Sequence, residues 1–174
     1  MNDNSISYEL LKKISNYIKY LSMILAGVFL VINITDILVS VFFRYFLSYS
    51  LVWTEEVARF TLIYSVMFGS VAAISYGDHV KITIVLDYLP DIISKIIKII
   101  VHIIIVGIIA YITYLGIKYV DNAWRFQTLA LGIPKAIPLM SIPIGMGLFL
   151  VQYILIEIIG INKDVITREL EMRK

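Results

Sequence analysis

Residues 44–60 read RYFLSYSLVWTEEVARF, residues 60–77 continue as FTLIYSVMFGSVAAISYG, and residues 78–90 as DHVKITIVLDYLP. Two charged, aromatic-rich clusters bracket an apolar run close to the roughly 20 residues that a helix needs to cross a bilayer. This stretch places its charge at the two faces of a membrane.

The rest of the chain agrees. Of 174 residues, 60% are hydrophobic and 16% charged, whereas soluble domains are nearer half apolar and about a quarter charged. The chain is an integral membrane protein. A net charge of +2 with no basic run gives no electrostatic footprint for nucleic acid. With no cysteine, disulfides, thiolate metal sites and cysteine nucleophiles are excluded. The start of the chain lacks the small-residue cleavage site of a secretory signal.

Periodicity predicts an all-α membrane protein, a single membrane domain over 1–174 with four spans, about 20–43, 60–77, 99–117 and 136–156, in its region 20–159. Before the first, residues 1–19 carry Ile6, Leu10, Ile14 and Ile18 at helical spacing, with Glu9, Lys12, Lys13, Asn16 and Lys19 opposite. This is an amphipathic helix for the interface, or a polar extension of the span. Within the first span, Asn33, Asp36 and Ser40 form a narrow polar stripe. A carboxylate in hydrocarbon costs about 2.5–3.5 kcal/mol on insertion scales, so Asp36 faces protein or water. An ion site and a helix contact both satisfy that; with no second carboxylate in another span, the contact is favoured.

In residues 44–59, Glu55 and Arg59 stand at i, i+4 with the acid first, the better order for an ion pair. Thr54 or Ser50 fits a helix cap. Arg44, Trp53, Glu55, Glu56 and Arg59 together make a candidate docking cluster. In the second span Ser65, Gly69 and Ala73 recur every four residues, beside Ala72. Small residues at that spacing let two helix backbones approach closely.

From Pro90 onward the chain predicts a helix that begins along the interface and turns inward, with Asp91, Lys95, Lys98 and His102 on one polar stripe. Before the last span, Gly132, Pro134 and Pro138 interrupt any long helix, and Pro143 is expected to kink that span. Residues 160–174 are a polar tail. With four spans and the N-terminus cytoplasmic, ten Lys and Arg residues fall inside and five outside. The positive-inside rule then puts both termini in the cytoplasm, with Trp53 and Trp124 on the outer interface.

The order of these pieces resembles the small membrane, DctQ-like subunit of TRAP transporters, the tripartite ATP-independent periplasmic systems. The resemblance rests on RYFLSYSLVWTEEVARF before the second span, GDHVKI after it, and LGIPKAIPLMSIPIG (131–145) entering the fourth. It covers most of residues 20–149. An acid commonly follows the family's histidine by four positions, where this chain has Thr83, with Asp87 the nearest acid.

The resemblance implies a non-enzymatic, multi-pass protein of the bacterial inner membrane, without a cofactor. Its expected partners are a large permease subunit, paired with it as a heterodimer, membrane lipids and, transiently, a periplasmic substrate-binding protein. In such systems the binding protein captures an organic anion such as a sialic acid or a four-carbon dicarboxylate. The large subunit moves it by an elevator motion driven by a cation gradient, and the small subunit is the scaffold. Arg44, Trp53, Glu55, Glu56 and Arg59 would then meet partners on the outer side, with His79 and Lys81 anchoring the inner side. Ser65, Gly69, Ala73, Gly132, Pro134, Pro138 and Pro143 would serve helix packing.

Secondary transporters bind substrate near the midplane with broken helices and converging polar groups. These spans offer only Asp36, His102, Gln152 and scattered hydroxyls, too few for a pathway. Two other readings are weaker. A four-helix b-type cytochrome could use His79 and His102 as haem ligands, but one histidine pair is a poor count for electron transfer across a membrane. A surface enzyme could use Glu55 or Glu56 as a base, but no nucleophile, metal cluster or phosphate loop accompanies them.

Overall fold

The computed structural model describes residues 3–76 and 91–171. Within these, α1 (Asp3–Phe46), α2 (Val52–Ile74), α3 (Asp91–Ala123), α4 (Ala136–Leu139) and α5 (Ser141–Glu171) follow one another. All but α4 are long and apolar enough to cross a membrane, giving the four expected spans. His79, Lys81, Thr83 and Asp87 lie outside the described residues.

The helices outrun the expected spans. At about 1.5 Å per residue, the 44 residues of α1 reach roughly 66 Å, about twice the hydrocarbon thickness. The amphipathic N-terminal segment and the first span are one unbroken helix. Gly27 is the only glycine along it and no proline interrupts it, and one glycine does not break a helix of this length. Likewise α3 runs unbroken from Asp91 through the third span, so the segment leading into that span is part of the same rod.

Burial is inverted relative to a soluble protein. Ser15, Ser22, Asn33, Asp36, Thr54, Ser65, Ser141 and Gln152 are buried, while Ile24, Val31, Leu38, Ile103 and Tyr111 are exposed. Lipid satisfies apolar side chains, so polar groups must find each other inside the bundle.

The shorter helix α2 packs along most of its length against α1. Ser65 Oγ donates to the Ala26 carbonyl at 3.0 Å, and Gly69 approaches the same turn, where an added Cβ would lie 3.9 Å from Ala26 Cβ. Ala72 is buried, whereas Ala73 is exposed. Phe29 stacks on Tyr64 with centroids 4.9 Å apart. The last helix meets α2 at Gly145, against Met67, and meets α3 where Gly116 faces Ile142 and Pro143.

Pro143 does not kink the span from within, because α5 begins only at Ser141 and the proline occupies its first turn. Proline is tolerated there, since first-turn amides have no partner inside the helix. The interruption comes at Met140, between α4 and α5. A continuous helix would need Pro143 to donate to the Leu139 carbonyl, and proline has no N–H.

Candidate functional site

Polar and aromatic side chains gather at the end of the bundle that holds Trp53 and Trp124. The chain reverses there between α1 and α2 within residues 47–51, with Ser48 at a positive φ of 52° and the Tyr49 amide donating back to the Phe43 carbonyl. The N-cap of α2 is Leu51, with no side-chain cap, so neither Thr54 nor Ser50 caps the helix. Instead Thr54 is buried, its Oγ1 lying 2.6 Å from the Leu51 carbonyl oxygen and 3.1 Å from Ser40 Oγ. It ties the two helices together.

The polar stripe of α1 faces α2. Asn33 Nδ2 donates to the Ala58 carbonyl at 2.5 Å and to Thr61 Oγ1 at 3.0 Å. Asp36 is buried in the same seam. Glu55 and Arg59 form no ion pair, and both are exposed, as are Arg44 and Trp53.

Glu56 has a different environment. The segment between α3 and α4 folds into a narrow turn, where the Thr128 amide donates to the Ile133 carbonyl and the Lys135 amide to the Phe126 carbonyl, each at 2.8 Å. At its tip three successive amides point at one carboxylate. Leu129 and Ala130 donate to Glu56 Oε1 at 2.9 and 3.0 Å, and Leu131 to Oε2 at 3.1 Å. Successive N–H groups of this kind form a concave nest that suits an anion. Gly132, at φ +65°, closes the turn, and Ile133 donates to Thr128 Oγ1.

Of the residues expected in helix packing, Gly132 therefore belongs to this turn, with open space around it, and Pro134 is bridged to Gln127. Pro138 is buried in α4. The nest leaves Leu129 at the extreme of the loop, 97% exposed. Glu56 is thus spent on the chain's own backbone, while its neighbour Glu55 stays free to face outward.

At the opposite end, Gln152 joins three helices. It is fully buried, and its Nε2 lies 2.6 Å from Ser75 Oγ, 2.9 Å from Ser15 Oγ and 3.2 Å from the Ser15 carbonyl oxygen. Replacing Gln152 with leucine removes these bonds without shrinking the side chain. The expected loss is about 1 kcal/mol, within the range of interhelical hydrogen bonds in membranes, read as an earlier thermal transition in detergent.

Nearby, His102 Nε2 lies 2.5 Å from Glu157 Oε2, and Nδ1 faces the Lys98 carbonyl oxygen at 2.8 Å. A carbonyl only accepts, so the Nδ1 contact requires that nitrogen to be the donor. Both ring nitrogens are engaged, leaving none for a haem iron. Sequence reasoning missed Glu157 because it stands one residue past the expected end of the last span. Its position as the first acid after that apolar run was the only available signal.

Residues 34–161 match the family described as tripartite ATP-independent periplasmic transporters, DctQ component. The sialic acid TRAP transporter small permease protein SiaQ of Vibrio cholerae is 30% identical over 120 residues, covering 69% of each chain. A putative TRAP transporter small permease protein of Haemophilus influenzae is 24% identical over 152 residues, 87% of this chain and 90% of that one.

Proposed function

This chain belongs to the DctQ component family of tripartite ATP-independent periplasmic transporters, and from that membership we propose that it is the fixed scaffold beside a large, elevator-type permease subunit. It is a transport component of the bacterial inner membrane and not an enzyme. The large subunit moves an organic anion on a cation gradient, and a periplasmic binding protein delivers that anion. The similarity to a sialic acid transporter subunit favours a sialic acid or a related carboxylate. Both termini lie in the cytoplasm, and the Trp53 end faces the periplasm.

One observation supports the scaffold role above the rest. The buried polar groups of the described residues are largely spent on tying helix to helix, as Asn33, Thr54, Ser65 and Gln152 do, while the outer surface is apolar. That favours a body to be packed against over a transport site, whose ligands converge near the midplane on broken helices. Arg44, Trp53, Glu55 and Arg59 present the periplasmic contact surface, and Glu56 contributes by holding the 129–132 loop beside it. His79 and Lys81 contact the partner on the cytoplasmic side.

The test compares vesicles holding this chain alone, the large subunit alone, and both, each supplied with the binding protein and a labelled sialic acid under a sodium gradient. Uptake is expected only with both subunits. Uptake by this chain alone would overturn the scaffold reading, and full uptake by the large subunit alone would make the chain dispensable.

A further inference from the structure

At the Trp53 end, α1 and α2 enclose a half-open cavity of about 120 Å3. No residue of α3, α4 or α5 lines it, so it lies on the α1–α2 side of the bundle. Asp36, Ser40, Thr54 and Glu55 are the polar residues among its lining, beside Ile37, Val41 and Ala58, and most of its wall is apolar. Asp36 is only 8% exposed, and its Oδ2 is buried with no hydrogen-bond partner.

Two acidic residues thus line one cavity, and neither forms an ion pair with a basic group among the described residues. The ion pair found there is His102 with Glu157, on other helices. A buried carboxylate in an apolar seam is retained at a cost unless a cation meets it. Among the described residues no cation does so, which leaves the counter-charge to a partner.

We infer that this cavity receives a lysine or arginine side chain of the large permease subunit, which makes the α1–α2 side near Trp53 the docking face. The inference rests on the proposed pairing with that subunit. The shape of the cavity selects among cations. Its aliphatic walls suit the methylene stem of a basic side chain, with the charged head meeting Asp36 and Glu55 and its remaining N–H groups reaching the hydroxyls. A hydrated metal ion would set its water shell against those apolar walls. A lipid amine would bring its own phosphate up to two carboxylates, which repel it.

The experiment uses the complex purified through a tag on the large subunit, and the untagged chain on its own. Asp36→Asn keeps the shape and removes the charge, and Asp36→Lys reverses it. Alone, the Asn variant is expected to melt at or above the wild-type temperature, because an unanswered charge has gone. In the complex, its retention through washing is expected to fall on the order of tenfold, as when one member of a buried charge pair is removed. The Lys variant is expected not to be retained.

If the Asn variant melts well below wild type on its own, Asp36 is a structural residue of this chain and the inference is overturned. Undiminished retention of the Asn variant overturns it too, with water, a metal ion or lipid left as the occupant. Failure of the wild-type chain to be retained is visible before any variant is compared. That result would remove the pairing itself, and the docking site with it.

Discussion

Replacing Glu56 with alanine is expected to release the loop at 129–132 and to weaken assembly with the large subunit. In the native chain one carboxylate fills the nest formed by the amides of Leu129, Ala130 and Leu131. Alanine removes every acceptor at once, and exchange of those three amides with solvent is expected to accelerate by on the order of tenfold or more. Glutamine gives an intermediate result with a specific pattern. Its carbonyl oxygen can replace Oε1 and hold Leu129 and Ala130, but its NH2 group then meets the Leu131 amide, donor against donor. Leu131 should therefore lose protection in both variants, and Leu129 and Ala130 mainly in the alanine variant. Retention by the large subunit should follow the same order, wild type above glutamine above alanine. Wild-type exchange at all three amides in the alanine variant would show that the turn holds its shape without the carboxylate.

Glu56 also marks where the sequence stops being legible. Its type and its place at the head of the second span are plain, and so is its company of Trp53, Glu55 and Arg59. Its partners are not, because they are backbone amides 73 to 75 residues away and every non-proline residue carries an amide. The i, i+4 rule offered Glu55 and Arg59 as a pair, yet at an exposed site such a pair gains little and costs side-chain freedom. The nest has only one faint sign in the sequence, the glycine at 132, which supplies the left-handed residue that closes the turn.

Properties of a single segment were readable, and properties of the assembled bundle much less so. Apolar run length located the four spans because lipid imposes it, and the Asn33–Asp36–Ser40 stripe gave the buried face of α1 because helical period fixes which residues align. Helix ends escaped this reasoning. Hydropathy reports the part of a rod inside lipid, while α1, α3 and α5 continue beyond it as polar helix. Pro143 was misread for the same reason: whether a proline kinks or merely begins a helix depends on where the helix starts.

The largest effect on the fold is expected at Gly145. A Cβ added there would stand 2.6 Å from Met67 Cβ, 3.2 Å from Cγ and 3.4 Å from Sδ, whereas carbon atoms in contact prefer about 3.5–4.0 Å. A methionine can swing its Cγ and Sδ aside, but its Cβ is fixed to the backbone. Gly145→Ala must therefore push α2 and α5 apart by about 1 Å at their contact, a strain of about 1–3 kcal/mol. This outweighs the roughly 1 kcal/mol that alanine gains over glycine in a helix.

The strain spreads to the neighbouring contacts, where Tyr64 of α2 donates to the Ile137 carbonyl of α4 at 2.7 Å and Gln152 of α5 reaches Ser75 at the end of α2, because both bonds need α2 at its native distance from the α4–α5 segment. Gly107→Ala is the control. It has open space around it, and only the propensity gain should appear, as a melting temperature at or above wild type. The cause can be isolated in a second step. Met67→Ala leaves the offending Cβ in place and should not rescue Gly145→Ala, whereas Met67→Gly removes it and should recover part of the lost stability. Equal rescue by both Met67 variants would show that side-chain bulk, and not the closeness of the two backbones, sets the limit at this crossing.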